Sequence, residues 1–318
     1  MKKVSIALAA YRGEKFIAEQ IKSLLAQTMP PDEIIICDDS PDDLTSEQIK
    51  PYLACGKINY IHNPVQLGIC RNFEKALSLC SGEYIFLCDQ DDFWLPDKIE
   101  TLVNVLECNP QYSGAFCDST VVNKDLKPLG FSLWEMRSFT KNMQKELNRG
   151  CSLKVFLKRV TLSSHNIVFR KECLPRILPF PELGIFYPDT WIGLQLAISG
   201  NWYAVNKQLT LYRVHDNNCS SPTKPNWKTQ MKFSAKARQR DAFGCTLALA
   251  QELIGRAPAD TPENYLKMLR NYSRHYLNRK NFSKNFFCKI FQIFCEYLSG
   301  RYHTCSNGIK SVAADILL

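Results

Sequence analysis

The amino-acid sequence predicts an α/β fold with a mostly parallel central sheet and helices on both of its faces. Short apolar runs rich in β-branched residues alternate along the chain with segments in which apolar residues recur at every third or fourth position. No internal repeat is present. Because a helix after each strand returns the chain to the start of the next strand, this alternation favours parallel pairing.

The first hundred residues show the alternation most clearly. The apolar runs predict strands at residues 4–9, 33–37, 58–61 and 84–88. Helical spacing predicts a helix containing Ile17 and Leu25 that stops before Pro30, a helix over 70–79 after Gly68, and a helix with Ile99 and Leu106 on one face and Pro96 in its first turn. Ligands of such sheets bind beyond the carboxyl ends of the strands, so we look there for chemistry.

The second half of the chain is less regular. After the apolar run at 114–117, the polar stretch 141–150 is expected to be a mobile or acceptor-side loop. Further along, the sequence predicts strands at 166–169, 202–205 and 209–212 and a helix over 190–199 that ends at Gly200. The tail is predicted to form helices.

The positive charge is confined to the end of the chain. The net charge is +9, but residues 1–223 hold 24 basic and 25 acidic side chains, whereas residues 224–318 hold 16 and 6. This shift predicts a domain boundary, with an electrically balanced domain over 1–223 and a basic helical extension over 224–318. An electrically balanced body argues against nucleic acid as the partner of this protein.

The cysteines predict a reducing environment. None of the fourteen forms a CxxC pair, and several lie inside apolar runs, where a thiol behaves as a small core residue. Charge returns at Arg12 and Glu14, too early for a signal peptide, and no run of 18 apolar residues occurs. We therefore expect a cytoplasmic location.

Carboxylates follow two of the predicted strands directly. Asp38 and Asp39 end the second strand, and Asp89, Asp91 and Asp92 end the fourth. Such a cluster is repulsive unless a cation compensates it, and Mg²⁺ or Mn²⁺ bridged to a diphosphate is the natural compensator. The alternative is that these aspartates only cap turns and helices. We favour a nucleotide-diphosphate site for the two clusters and the capping role for Asp42, Asp43 and Asp97.

No glycine-rich phosphate loop is present, because the glycines before residue 100 are scattered singly. A bound diphosphate would therefore depend on metal and side chains. Arg71 is the candidate side chain, with an exposed surface arginine as the alternative.

Four strings in this order and spacing resemble the family 2 glycosyltransferases with the GT-A fold, closest to rhamnosyltransferase-like members of bacterial polysaccharide assembly: AAYRGEKFIAEQIKSLLAQT, EIIICDDS, GICRNFEKAL and GEYIFLCDQDDFW. The later strings SSHNIVFRK, YPDTWIGLQLA and LYRVHDNN continue the resemblance, which covers about residues 4–218. It implies a GT-A catalytic domain.

The resemblance also implies roles for individual residues. It places the nucleotide base and ribose at Ala9, Tyr11, Asp38 and Asp39, the DxD element at Asp89, Gln90 and Asp91, the metal at Asp91 and His215, and the catalytic base at Asp189. Asp89 would contact ribose or metal-bound water, and Asp92 is a neighbour without an assigned role. We interpret His165 as a pocket residue that touches the donor or acceptor sugar.

Alternatives stay open for two of these residues. Asp189 could instead be the N-cap of the helix predicted to begin near Thr190, and His215 could be a structural histidine. The sequence departs from the family pattern at Pro41, and at Pro188 and Thr190 around the expected base, so the donor sugar is undetermined.

The predicted reaction is direct displacement with inversion. A base takes the proton of the incoming hydroxyl while a metal ion stabilises the leaving nucleoside diphosphate. The donor would be a UDP-, dTDP- or GDP-sugar, and the acceptor a saccharide or a lipid-linked saccharide in O-antigen or capsule synthesis. The rival interpretations are a sugar-phosphate nucleotidyltransferase, which would need a glycine-rich basic loop after the first strand, and a non-catalytic scaffold at the membrane surface.

One tail segment is strongly amphipathic. Polar residues recur every three or four positions between Asn285 and Ser299, aromatic and aliphatic residues fill the rest, and lysines and arginines flank the segment. Either this helix binds an anionic membrane surface on the cytoplasmic side, or it packs its apolar face on the catalytic domain.

Overall fold

The computed structural model describes residues 2–183, 187–215 and 242–317. Within these residues the sheet has nine strands, β1 Val4–Ala10, β2 Glu33–Asp38, β3 Ile58–His62, β4 Tyr84–Asp89, β5 Phe93–Trp94, β6 Tyr112–Val122, β7 Pro128–Ser132, β8 Ile167–Arg170 and β9 Asn201–Arg213. The first four match the predicted strands to within one residue at each end. Their apolar, β-branched sequences suit strands that helices cover on both faces.

The strands are ordered β3-β2-β1-β4-β8-β6-β9-β5, and β7 pairs with β6. Parallel pairs join β1 to β2 and β4, β2 to β3, and β6 to β9. The remaining pairs, β4–β8, β6–β8, β6–β7 and β5–β9, are antiparallel. The α/β prediction is confirmed, although the sheet is more mixed than predicted because β8 enters it antiparallel between β4 and β6.

The helices of the first 215 residues are α1 Ile17–Leu25, α2 Leu44–Ile49, α3 Ile69–Ser78, α4 Lys98–Cys108, α5 Leu133–Met136, α6 Lys141–Leu147, α7 Ser152–Lys158, α8 Leu174–Ile177 and α9 Pro188–Ser199. Short 3-10 turns cover Lys50–Cys55, Ser164–Asn166 and Lys171–Cys173. After residue 241 come α10 Ala242–Gly255, α11 Glu263–Lys280, α12 Phe286–Leu298, α13 Arg301–Cys305 and α14 Ile309–Leu317.

Successive residues of β1 point to opposite faces of the sheet, as the period of a strand requires. Ile6 and Leu8 join a core cluster with residues of α1 and α4. Ala7 joins a second cluster with residues of α3, α7 and α9. The predicted helices on both faces are therefore confirmed, and the sheet lies buried between them.

Three local predictions were wrong. The stretch 141–150, expected to be a loop, begins with helix α6, which the side chain of Thr140 caps by accepting a hydrogen bond from the Met143 amide at 3.3 Å. The two strands expected at 202–205 and 209–212 form one long strand, β9. Pro96 lies before α4, whose N-cap is Asp97, and is not in its first turn.

The helices after residue 241 are partly anchored on the catalytic body. Leu249, Leu253 and Leu269 are buried in the same core cluster as α9. The predicted helical tail is confirmed, and the boundary at 223/224 falls in residues outside the described part of the chain. Among the described helices, none combines the length and the apolar character that crossing a membrane requires.

Candidate functional site

A cavity of about 430 Å³ opens where the central strands end. The register aligns these ends, because Ala10 is paired with Asp38 on β2 and Ala9 with Asp89 on β4. Seven of the ten predicted site residues line the cavity, namely Ala9, Tyr11, Asp39, Asp89, Asp91, His165 and Asp189. Asp38, Arg71 and His215 are not among the residues that line it.

Asp39 holds the loop that leads into α3. Its carboxylate accepts hydrogen bonds from the amides of Leu67 and Gly68, at 3.1 and 2.7 Å, and from the Asn63 side chain at 2.6 Å. Gly68, with φ of 79°, is the N-cap of α3 and has a backbone conformation that favours glycine. The buried Asp39 therefore fixes one wall of the cavity while its own oxygens are already engaged.

Asp38 lies behind the cavity wall. Its buried carboxylate accepts hydrogen bonds from the Ser40 amide and hydroxyl, at 2.9 and 2.6 Å, and from the Tyr60 hydroxyl at 2.9 Å. Burial and this contact raise the pKa of Tyr60. The residue shapes the end of β2 and does not face the cavity.

Gln90 joins the loop after β4 to the loop after β1. Its Oε1 accepts from the Tyr11 amide at 2.8 Å and its Nε2 donates to the Tyr11 carbonyl at 2.9 Å. A Cβ on Gly13 would lie 2.4 Å from Gln90 Oε1, so a larger residue there would displace the Gln90 amide from this position. Gln90 thus fixes the separation between Tyr11 and the acidic loop. The sequence analysis gave it no role beyond its place between two aspartates.

Asp89 is held from the opposite side by the turn before β8. The Ser164 hydroxyl lies 2.8 and 2.9 Å from its two oxygens, and His165 Nδ1 lies 3.6 Å from Oδ2. Ser164 is a second cavity residue that the sequence analysis missed. Its only sequence signal is its position beside His165.

Asp91 and His215, the predicted metal ligands, are in direct contact. The distance from His215 Nε2 to Asp91 Oδ2 is 2.8 Å, and the imidazole ring packs 5.0 Å from the Phe16 ring. The buried Arg213 supports the loop by donating from Nε to the Asp91 carbonyl at 2.8 Å and from its amide to Asp92 Oδ1 at 3.0 Å. The end of β9 therefore determines where the acidic loop lies.

Asp92 and His165 form a buried layer beneath the cavity. Both are almost fully buried, and the distance between His165 Nδ1 and Asp92 Oδ2 is 3.4 Å. Burial, with the charges of Asp91 and Asp89, raises the pKa of Asp92 well above its usual range, and burial lowers the pKa of His165. Asp92 Oδ2 has no hydrogen-bond partner among the described residues.

Lys98 supports this layer from below. Its fully buried ammonium donates to the His165 carbonyl at 2.5 Å and to Thr210 Oγ1 at 2.8 Å, and it lies 3.4 Å from the centre of the Trp94 ring. Burial lowers the pKa of Lys98 to about 8. No pattern in the sequence distinguishes this lysine from a surface residue at a helix start.

Asp189 lies in the first turn of α9 on the other side of the cavity. The helix begins at Pro188 with Tyr187 as its N-cap, so the alternative that Asp189 is the N-cap is wrong. Burial, opposed by the Arg137 guanidinium and assisted by the charge of Asp89, raises the pKa of Asp189 to about 6. The carboxyl is therefore matched to proton transfer near neutral pH.

Two arginines lie on this side of the protein. Arg137, which the sequence analysis missed, lines the cavity and donates to the Leu162 carbonyl. Arg71, the predicted diphosphate ligand, instead pairs with Glu74 at 2.5 Å and with Glu182 at 2.8 Å. Arg137 is thus the arginine that the fold brings to the cavity.

The donor atoms suit a divalent cation. Asp89, Asp92 and His165 offer ligand atoms that lie within 4.8 Å of one another, and Asp91 with His215 adds a carboxylate and an imidazole at the same rim. Carboxylates with one imidazole are typical of Mg²⁺ or Mn²⁺ sites. Asp92 Oδ2, which has no hydrogen-bond partner among the described residues, is available as a further oxygen ligand.

Comparison with known proteins agrees with this geometry. The sequence model of glycosyl transferase family 2 matches residues 5–176. An uncharacterized protein of Mycobacterium tuberculosis is 27% identical over 219 residues, which are 67% of this chain and 59% of that protein. The chain therefore spans about three fifths of the length of this relative.

A second relative has a specific name. The UDP-Glc:alpha-D-GlcNAc-diphosphoundecaprenol beta-1,3-glucosyltransferase WfgD of Escherichia coli is 26% identical over 243 residues, which are 76% of this chain and 85% of that protein.

Solved structures show the same fold. Staphylococcus aureus TarS 1–349 in complex with UDP-GlcNAc superimposes with a TM-score of 0.65 at 15% identity, covering 99% of this chain and 88% of TarS. The Pyrobaculum calidifontis mannosyltransferase PcManGT, in complex with GDP-Man and Mn²⁺, gives 0.57 at 15% identity, covering 98% and 78%. The family match over more than half of the chain, together with this fold and cavity, shows that the protein belongs to glycosyl transferase family 2.

Proposed function

We propose that this protein is a metal-dependent, inverting glycosyltransferase that moves a sugar from a nucleotide-sugar donor to a saccharide or lipid-linked acceptor in cell-surface polysaccharide synthesis. One observation carries the proposal: Asp189, with its pKa raised to about 6, shares a cavity with the acidic loop of Asp89 and Asp91. A base and a diphosphate site on one cavity are the two requirements of glycosyl transfer.

Asp189 is the base in this proposal. It takes the proton of the acceptor hydroxyl as the new bond forms between that oxygen and the anomeric carbon, while the bond from that carbon to the diphosphate oxygen breaks. The other carboxylates of the cavity are engaged, Asp39 by backbone amides, Asp89 by Ser164 and Asp91 by His215. Among the described residues, Asp189 accepts only from the neighbouring Thr190, at 3.3 Å, and a single base on the cavity supports direct displacement, and hence inversion of the anomeric carbon.

Asp91 and His215 would hold the divalent ion, with Asp89 beside them. The ion, when bound, offsets the negative charge of the leaving diphosphate. Tyr11, 41% exposed at the rim, and Ala9 are positioned to contact the nucleotide base, and Gln90 fixes Tyr11 in place. We place Arg137 against the diphosphate or the donor sugar because its guanidinium lies near Asp189.

The acceptor is proposed to be linked to a lipid at the inner face of the bacterial membrane. The name of WfgD specifies a diphosphoundecaprenol-linked acceptor, which supports this choice. None of the thirteen cysteines among the described residues forms a disulfide, which suits a reducing compartment. The similar solved structures are described as complexes with UDP, UDP-GlcNAc or GDP-Man. The nucleotide of the donor and the rhamnosyltransferase-like specificity therefore remain predictions.

A ligand panel tests this function directly. We expect one nucleotide sugar among UDP-, dTDP- and GDP-linked donors to raise the melting temperature in the presence of Mn²⁺, because a ligand that binds only the folded state stabilises it. The same donor should be slowly hydrolysed to the nucleoside diphosphate. A sugar-phosphate nucleotidyltransferase would instead release pyrophosphate from a nucleoside triphosphate, and a scaffold would turn over no donor.

The pH dependence of the reaction follows from Asp189. A base acts only when ionised, so kcat/KM should rise as pH increases through about 6 and level off above it. The measurement is a pH profile of donor turnover at saturating Mn²⁺. A rate that falls over the same interval would show that the group with this pKa acts as an acid, and would contradict the assignment.

A further inference from the structure

The C-terminal helices expose an aromatic surface. Among the described residues, nineteen large apolar side chains are more than a third exposed, and ten of them lie between 277 and 317. The other nine are scattered over the first 215 residues. Exposed apolar residues are therefore concentrated in the last helices. A contiguous apolar patch on a protein surface indicates an interaction site.

The surface is one side of α12. At 100° per residue, six exposed side chains fall within an arc of about 140°. They are Phe286, Phe287, Phe291, Phe294, Tyr297 and Leu298. Ile293 and Glu296 lie outside this arc and are buried, on the side where α12 contacts α13 and α14. Of the two interpretations left open by the sequence, packing on the catalytic domain therefore finds no support among the described residues.

The exposed charged side chains of these last helices are mostly basic, and the exposed acid Glu263, at the start of α11, pairs with Arg270. Residues 264–317 contain only two acidic side chains, and both are buried in ion pairs. Glu296 accepts hydrogen bonds from Arg301 and His275, each at 2.7 Å, and Asp315 accepts from Arg279 at 2.7 Å. The charged side chains left exposed in this range are basic, namely Lys267, Arg270, Arg274, Lys280, Lys284 and Lys310.

We propose that the aromatic arc of α12 inserts into an anionic lipid surface. Aromatic and aliphatic side chains on one side of a helix, with basic residues around it, are typical of helices that lie in the membrane interface. The basic residues would meet anionic headgroups, each contributing to binding near the surface. A second copy of the chain would bring the same positive charges together, which disfavours self-association through this face.

This inference deepens the proposed function, since a lipid-linked acceptor would be presented at the same surface. It is consistent with the burial of Glu296 and Asp315, because an exposed carboxylate beside the arc would be repelled by anionic headgroups. It also gives the basic excess of the tail a role that does not involve the neutral catalytic body.

Flotation of the full-length protein with vesicles tests the inference. We expect binding to phosphatidylcholine vesicles that contain phosphatidylglycerol, at least about tenfold stronger than to phosphatidylcholine alone. Phe287→Ser with Phe291→Ser should weaken binding at least about tenfold, because two inserted rings are lost. These side chains are 82% and 67% exposed, so the fold should tolerate the change, and thermal unfolding checks this.

The matched control is Leu79→Ser with Leu129→Ser, two apolar residues exposed on the catalytic body at 44% and 43%. This pair should leave vesicle binding unchanged. Lys280→Glu with Lys284→Glu should remove the preference for anionic vesicles. Equal binding of the wild type and the Phe287/Phe291 variant, or no preference for anionic lipid, would overturn the inference.

Other occupants give distinct results. Concentration-dependent dimers that the Phe287/Phe291 variant abolishes, without vesicle binding, would assign the arc to a second copy. Binding of single-stranded nucleic acid in preference to vesicles would also contradict a lipid surface. Wild-type donor hydrolysis measured without vesicles reports on the proposed function separately, so failure of one proposal leaves the other intact.

Discussion

Asp189→Asn is expected to reduce glycosyl transfer by about 10²–10⁴-fold while donor affinity changes little. The amide has the shape of the carboxyl but cannot accept the proton of the acceptor hydroxyl. The residue lies in the first turn of α9, on a different element from the acidic loop, and the substitution leaves the carboxylates of that loop unchanged. Initial rates and donor titrations by calorimetry, at one Mn²⁺ concentration, measure the two quantities.

Stability distinguishes a base from a structural residue. Because the pKa of Asp189 is raised in the folded state, ionisation destabilises the fold, and stability present below about pH 4 is lost as pH rises through about 6. Asp189→Asn should therefore be at least as stable as the wild type at pH 7, by up to about 1–3 kcal/mol. If the role of Asp189 were structural, the substitution would instead lower the free energy of unfolding.

The matched control is Asp97→Asn. Asp97 also lies at a helix start, the N-cap of α4, but it is about half exposed and distant from the cavity lining. It should retain wild-type rates. Loss of donor binding as large as the loss of transfer in Asp189→Asn would contradict the role of Asp189 as the base and reassign it to donor binding.

The sequence predicts the central strands and their acidic ends because both depend on local pattern. Strands β1, β2 and β4 are apolar on both faces, and their carboxylates follow directly, so parallel pairing alone brings Asp39 and Asp89 to one edge. The local pattern did not predict β9 as one continuous strand. Its residues 206–208 are polar and exposed and interrupt the apolar run, and the register against β6 shifts there.

The contacts that support the site could not be predicted from the sequence, for a different reason. Gln90 meets Tyr11 across 79 positions, and Ser164 meets Asp89 across 75. Parallel pairing of β1 with β4 brings Gln90 close to Tyr11 but does not specify their hydrogen bonds. No spacing rule links Ser164 to Asp89, because β8 approaches β4 antiparallel after an irregular segment. Arg137 likewise reaches the cavity from the end of the single turn of α5. The capping box of α5, at Ser132 and Glu135, is a local sequence feature, but the direction in which the helix points depends on tertiary packing.

Asp91→Ala is expected to weaken Mn²⁺ binding in the presence of nucleoside diphosphate by at least about 100-fold, since even indirect partners of metal ligands are worth 10–100-fold in affinity. Its carboxylate lies on the cavity and is held 2.8 Å from His215, so the substitution removes a ligand atom without disturbing the Arg213 contacts to the backbone of the loop. Electron paramagnetic resonance of free Mn²⁺ during titration measures the affinity, and transfer activity need not be followed.

Two variants decide which carboxylates hold the ion. Asp125→Ala, an exposed aspartate in the turn between β6 and β7, should bind Mn²⁺ as the wild type does. Asp92→Asn tests the buried cluster, because Asp92 has an unpartnered oxygen 3.4 Å from His165 but does not line the cavity. If Asp91→Ala binds normally and Asp92→Asn does not, the ion belongs to Asp89, Asp92 and His165. If Asp91→Ala alone loses the ion, Asp92 is a buried neutral support.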